Sequence, residues 1–469
     1  MKKISIIIML VLVGVFAQAQ SVWDGSRQLW TSGTGTQDDP FLIESAANLA
    51  FLSYMVGKGF DTQGMYFKLT TDIDLNGSED QLWIPIGMSD DAYYEDGCER
   101  YCAPVSVSDK TSLAFKGHFD GCDHHISNIY VNREHGYAGL FGVLCDSGDP
   151  DHPTVVENVF VTSGFVKGKS SGGIVGDCSA STGECVVSRC WNGADIEGSE
   201  SSGGIVGYKA GKIHNCYNIG TINGHKAAGG IVGTSVVEMR ECYNNGAVSG
   251  DCFSGGVMGG AIRGNSDVKN CYNTGSVSST GTAAPANLPG SMVGGIVGIM
   301  MQGNNIISNC YNVGSVACEM SEPGGALGTL GYNSIAENLY FLNTCGGIGE
   351  GEVMDAESMR DPLFVEILNQ VDPVWSADTL NNNNGYPILG ANNLAVNEYA
   401  MSALTVYPNP ANGQFTIEGT GILRVFNLLG QVVLTQEISE RTVMELPRGM
   451  YFIRLDHVNG VKTAKLVVR

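Results

Sequence analysis

From about Tyr137 to Leu342 the chain repeats short apolar phrases divided by Gly and Asn, without the three-and-four spacing of a helix. Gly173-Ile174-Val175-Gly176 returns unchanged at Gly204, Gly230 and Gly295, as Gly256-Val257-Met258-Gly259, and more weakly at Gly139 and Gly325. Cys216-Tyr217-Asn218 returns at Cys242, Cys271 and Cys310, and earlier as Cys190-Trp191-Asn192. A third phrase closes each copy, as in Gly246-Ala247-Val248 and Gly275-Ser276-Val277. The five cysteines stand 26, 26, 29 and 39 residues apart, a period that signals a solenoid. Three β-rich phrases per copy predict three strands and three bends. The expected class is all-β: a right-handed parallel β-helix whose coils bury their inner faces only by stacking.

The divergent copies set the register. Asn128-Ile129-Tyr130-Val131, Asn158-Val159-Phe160-Val161 and Asn338-Leu339-Tyr340-Phe341 align with Asn215-Cys216-Tyr217-Asn218. The Cys place also accepts Ile, Val and Leu, so it faces inward, and strand alternation turns the next residue outward. That residue is Tyr130, Phe160, Trp191, Tyr217, Tyr243, Tyr272, Tyr311 and Tyr340, aromatic in every copy. Coils about 4.8 Å apart make these an exterior aromatic ladder. Two readings stand. The rings pack on one another or under a flanking loop, at roughly 0.2–1 kcal/mol per pair, or they form a ligand-binding surface. Asn158, Asn215, Asn270, Asn309 and Asn338 share one bend, interrupted by Arg189 and Glu241, and are expected to form a structural amide ladder.

Outside the repeats the pattern changes. An apolar stripe from Ser45 to Val56, ended by Gly57 and Gly59, predicts a helix that caps the first coil. A second helical stretch, Ala356 to Asn369, is interrupted by Pro362. Short alternating strands with turn residues return after Leu404 and predict a small Ig-like β-sandwich. The expected organisation is a leader at 1–20, a cap and irregular coils at 21–136, and repeats at 137–345. A cap at 346–391, a linker at 392–403 and the sandwich at 404–469 follow.

Met1-Lys2-Lys3, the apolar run Ile4 to Phe16 and Ala17-Gln18-Ala19 have the form of a secretory signal peptide. No other stretch reaches the length of a membrane-spanning helix. The chain carries 26 Lys and Arg against 48 Asp and Glu, a net charge of −22, which argues against nucleic acid as a partner. From Ser402 onward basic residues outnumber acidic ones, so the acidity belongs to the body. Export favours disulfides. Cys98 with Cys102 and Cys178 with Cys185 are close in sequence in polar stretches, and these are the candidate pairs. The repeat cysteines read instead as small buried hydrophobes, although neighbouring coils bring Cα atoms within disulfide range.

Catalysis on a β-helix needs acid, base or metal-binding groups converging on one face. The densest cluster is Asp72, Asp74, Asp120, Asp123, His124 and His125. Turn-forming Asp is the simpler account. Asp72, Asp74 and Asp120 are also the candidates for a bound calcium, with no other cofactor indicated. The expectation is no catalytic centre. Gly168-Lys169-Ser170-Ser171-Gly172 matches a nucleophile-elbow pattern but lacks the strand-to-helix setting that motif requires.

The Gly-Gly-Ile-Val-Gly and Asn-Cys-Tyr-Asn phrases resemble the GLUG repeats of bacterial surface proteins, which include adhesins and non-catalytic parts of some immunoglobulin A peptidases. The tail resembles the C-terminal sorting domain of type IX secretion cargo. The resemblance rests on Tyr407-Pro408-Asn409-Pro410, Gly413, Phe426 to Gly430, Gly449-Met450-Tyr451 and Lys465 to Arg469. It implies passage through the type IX machinery, then tail removal with release or attachment at the outer-membrane surface. The leading expectation is an adhesin-like, surface-displayed solenoid that binds a host or neighbouring-cell glycan or protein through the aromatic ladder. A polysaccharide lyase or hydrolase working at Asp72, Asp120 and His124 is the second reading, and a structural spacer the third.

Overall fold

The computed structural model describes residues 21–87, 113–178, 185–282, 292–390, 405–426, 432–439, 441–457 and 460–469. The leader, Cys98, Cys102, the linker and Gly430 lie outside the described residues. The chain forms two compact units, Met1–Gly390 and Ala391–Arg469.

The first unit is a parallel β-helix. In one coil the chain runs through Ala210–His214, bends at Asn215, and continues through Tyr217–Asn218, Ile222–Gly224 and Ala227–Gly229 into Gly230-Ile231-Val232-Gly233. Equivalent residues of successive coils pair in register: Tyr217, Tyr243, Tyr272 and Tyr311 on one face, Ile222, Val248, Val277 and Val316 on the next. Val175, Val206, Val232 and Met258 bridge on the third. The bend before the aromatic residue is left-handed, with φ of 49–54° at Asn158, Arg189, Asn215, Glu241, Asn270, Asn309 and Asn338. Asn tolerates that conformation better than most residues, which explains its recurrence. The expected amide ladder at this bend is incomplete. Asn309 donates to Asn270 Oδ1 at 2.6 Å, whereas Asn158 donates to Asp120 and Asn215 to Glu241.

The interior is one continuous apolar cluster from Trp23 to Cys345. Cys190, Cys216, Cys242, Cys271 and Cys310 are fully buried in it. Each thiol donates to the carbonyl two residues back, across the bend, at 3.1–3.3 Å. A small apolar side chain with a weak donor suits that place, and burial pushes the Cys190 thiol up. All described cysteines are free thiols. Cys178 and Cys185, the candidate pair, are both buried core thiols and they meet unbonded, Cys178 at the end of one strand and Cys185 just before Val186–Ser188. Cys178 ends the strand Val175–Cys178, which is buried along its whole length, so its polar neighbours in sequence misrepresent its setting.

Helix α1 (Ala46–Gly57) closes the first coil; Ser45 caps it by accepting from Asn48 N, and Gly59 follows at φ +88°. Its Leu49, Leu52 and Val56 enter the solenoid core. After the last coil, α2 (Ala356–Arg360) and α3 (Pro362–Asn369) are separate helices, because Pro362 occupies the first turn of α3 and Asp361 caps it. Among the described residues the second unit has seven strands in two sheets that share Thr405–Asn412. Its pairings are antiparallel except where Ala411 runs beside Val468. Phe415, Ile417, Leu423, Val425, Ile453 and Leu455 form its own core.

Candidate functional site: two ladders one residue apart

Tyr217 and Asn218 are neighbours on one strand, so they face opposite sides of the coil wall. Repeated over successive coils, they build one ladder outside and another inside.

On the outside the rings stack. Trp191 and Tyr217 lie 5.6 Å apart at 9°. The steps Tyr217–Tyr243, Tyr243–Tyr272 and Tyr272–Tyr311 are 4.8, 4.8 and 5.1 Å, each within 1° of parallel. Tyr340 continues the register. Phe160 extends it at the other end, 5.9 Å from Trp191. The next rung below Phe160 is His125, not Tyr130: Phe160 pairs with His125, and Tyr130 pairs with Phe165 in another sheet. The sequence alignment misplaced Tyr130 because Asn128 also takes a left-handed bend, at φ 54°, but at the following corner. The true counterpart of the Asn158 bend is Cys122-Asp123, where Asp123 N donates to Asn158 O.

The ladder is exterior to the coil but not uniformly exposed. Tyr272, Tyr311 and Tyr340 form one cluster with Met359, Phe364, Leu368, Trp375 and Tyr386 of the chain that follows the repeats. Trp375 sits 5.5 Å from Tyr311, and Phe364 meets Tyr340 edge-on at 5.0 Å. Tyr311 is wholly buried; its hydroxyl donates to Pro387 O and accepts from Asn383 Nδ2 at 2.8 Å. Burial pushes the Tyr217, Tyr272 and Tyr311 phenols up. The expected solvent-facing stripe is thus corrected over its C-terminal half, where the cap folds back on it. His125, Trp191 and Tyr243 remain half-buried, whereas Phe160 and Tyr217 are closed in. Burial also lowers the His125 imidazole, favouring its neutral form.

On the inside, Asn192, Asn218, Asn244, Asn273 and Asn312 are fully buried. The Nδ2 of each of the first four donates to the next Oδ1 at 2.8 Å, coil to coil, and Asn312 Nδ2 donates to Gly325 O at 2.9 Å. Each also binds the carbonyl two residues on, as Asn218 does with Gly220 O at 2.8 Å. A polar spine in an apolar core is tolerated because its donors and acceptors are met. The amides lie against the first glycine of each Gly-Ile-Val-Gly phrase. A Cβ on Gly230 would come within 2.3 Å of Asn244 Cγ and 2.0 Å of Gly256 O. The two repeated phrases are therefore packing partners. This spine was not foreseen, although its signal was present: each of these Asn stands two residues beyond an inward Cys.

The acidic candidates are engaged in turns. Asp72 meets His124 Nδ1 at 3.1 Å and His125 N at 3.0 Å. Asp74 accepts from Asn76 N and Asn128 Nδ2. Burial raises the Asp120 carboxyl, but bonds from Asn158 and Cys122 outweigh it and leave the group below its ordinary value. Among the described residues no group of three or more His, Cys, Asp and Glu is placed to hold a metal ion. Gly168–Gly172 falls within the strand Gly164–Gly172, with no helix after it.

In the second unit Tyr407 hydrogen-bonds Glu418, and Pro408, Asn409 and Pro410 lie within the strand Thr405–Asn412. Gly449 pairs with Val468, Tyr451 with Leu466 and Phe452 with Lys465. Tyr451 is buried and donates to Pro447 O at 2.9 Å. The motif residues named here thus lie on the strands Thr405–Asn412, Gly449–His457 and Gly460–Val468, each paired on both sides.

Comparison with known proteins agrees with this division. Residues 405–469 match the family described as "Secretion system C-terminal sorting domain". Over 166 residues, 34% of this chain, the sequence is 29% identical to a "Putative Gly-rich membrane protein" of Evansella cellulosilytica, covering 15% of that protein. Over 177 residues, 38% of this chain, it is 27% identical to "Halomucin" of Haloquadratum walsbyi, covering 2% of that protein. The chain thus spans a small part of the curated relatives it matches. A solved structure, a "putative immunoglobulin A1 protease" from Bacteroides ovatus, aligns with a TM-score of 0.48 and 23% identity, over 76% of this chain and 94% of that one. The tail marks a secreted protein that engages the type IX secretion machinery. No helix among the described residues is long and apolar enough to cross a membrane.

Proposed function

We propose that this chain is a non-catalytic binding protein of the GLUG-repeat, adhesin-like kind, held at the outer-membrane surface after its tail is removed. The observation that carries the reading is the union of a sorting domain with a long parallel β-helix whose outer wall presents stacked rings, half-exposed at His125, Trp191 and Tyr243. Rings fixed by stacking lose little freedom when a sugar face or an apolar side chain settles on them. The covered half, Tyr272 to Tyr340, serves to anchor the cap and falls outside the contact surface.

The test is an array of host and bacterial glycans and proteins probed with the full chain. Binding is expected, and His125→Ala with Trp191→Ala should weaken it at least about tenfold (~1.4 kcal/mol) while thermal unfolding moves little. Unchanged binding would remove the ladder from the contact surface. Turnover of a polysaccharide, abolished by Asp72→Asn or Asp120→Asn, would replace this reading with an enzymatic one; the Asp72–His124 pair is the observation behind that alternative. Surface fractionation with and without the tail tests the attachment.

A further inference from the structure

The two ends of the solenoid are closed differently. At the first coil α1 lies over the core. At the last coil, strand Ile335–Leu342 is covered along only part of its length: Tyr340, Phe341 and Leu342 pair with Glu352, Val353 and Met354. The segment around Ile348 covers a second corner, bridging Gly324. Among the described residues no strand pairs with Ile335, Ala336 or Glu337 on the side away from the preceding coil. Ile335 N donates backward to Asn305 O, so strand alternation turns the N–H and C=O of Ala336 toward the open side. A groove of about 190 Å³ lies there, between Ala336–Tyr340 and Glu350–Glu352. Ile335 and Val353, next in sequence to its lining, are exposed.

An unpaired edge beside exposed apolar side chains is a strand acceptor. Its charge selects the occupant. Glu337, Glu350 and Glu352 are exposed and have no basic partner within ion-pair distance among the described residues. A second copy joined edge to edge would set these carboxylates against their own counterparts, and the body is strongly acidic overall. Head-to-tail stacking would need an open first coil, which α1 closes. We infer that the uncovered edge Ile335–Asn338 accepts an extended segment of another protein that alternates apolar and Lys or Arg residues, adding it as one more parallel rung. The inference rests on the terminal coil alone, and it would stand if the body proved to be a spacer with no ladder ligand.

The experiment uses the full chain and two labelled probes, a short peptide alternating Val and Lys and its Val and Glu counterpart, read by fluorescence anisotropy. The Lys peptide should bind, and more weakly as salt rises. The Glu peptide should not. Ala336→Pro removes the outward N–H and should abolish binding. Should that variant fold poorly, the charge reversal Glu337→Lys with Glu350→Lys and Glu352→Lys leaves the backbone untouched and should exchange the preference to the Glu peptide. Equal binding of both probes, or binding indifferent to the reversal, would overturn the proposal. Sedimentation showing the chain already dimeric, and dissociated by Ala336→Pro, would overturn the assigned occupant.

Discussion

The inner amide spine and the outer ring ladder share a strand, a register and a repeat, yet they answer to different constraints. Asn244 has bonds to Asn218, Asn273 and both backbone groups of Gly246, so each rung satisfies its neighbours. Tyr243, one residue earlier, touches the rings above and below and is half open to water. A polar group sealed in an apolar core must be met at every step, because leaving one unmet costs about 1–3 kcal/mol. A ring on the wall has no such obligation until something covers it. The inner ladder therefore fixes the fold, and the outer one is available for other uses, which the cap takes up along half its length.

This difference can be challenged by substitution. Asn244→Ala should cost most, about 3–5 kcal/mol, because it strands donors and acceptors in two neighbouring coils; chemical denaturation measures it, and a loss no greater than that of Tyr243→Ala would break the comparison. Tyr311→Ala should follow at about 3–4 kcal/mol, with protease cutting in the segment around Trp375 as the cap loosens, whereas Tyr217→Ala should cost less and leave the cap intact. Gly230→Ala forces its Cβ against Gly256 O and Asn244, for about 1–3 kcal/mol. The smallest effect concerns Glu157, which the hydrogen bond from His118, against the opposing effect of burial and with help from Arg189, holds below the ordinary carboxylate range. Its folded value is depressed, so its contribution is full above the unfolded value near 4.5 and is lost as pH falls through the folded one. Glu157→Gln should flatten that acid limb by under about 1 kcal/mol.

Much of the fold was legible because strand parity is a strict rule. Inward Cys216 and outward Tyr217 followed from substitutions at one aligned place, and the split helix followed from Pro362. What stayed illegible depended on contacts distant in sequence. Tyr130 was assigned to the ladder because a bend-forming Asn looks alike at any corner. The burial of Tyr311 required knowing that the chain after Asn343 turns back over the wall. In the tail, Pro408 and Pro410 obscured a strand that the pairing of Val406 and Tyr407 with Ile417 and Thr416 supports. The Asn218 spine is legible from its parity with Cys216, whereas the expected amide ladder lay on Asn215 and its bend counterparts.

The near-parallel rings carry an optical consequence. Tyrosines about 5 Å apart exchange excitation far faster than they emit, and the run Tyr217 to Tyr311 touches an indole at each end, Trp191 stacked on Tyr217 and Trp375 of the cap packed on Tyr311. Light absorbed anywhere along the column should leave as tryptophan emission. Lifting the cap would divert the flow toward Trp191 alone, so the molecule carries its own fluorescent gauge of whether that cover is shut.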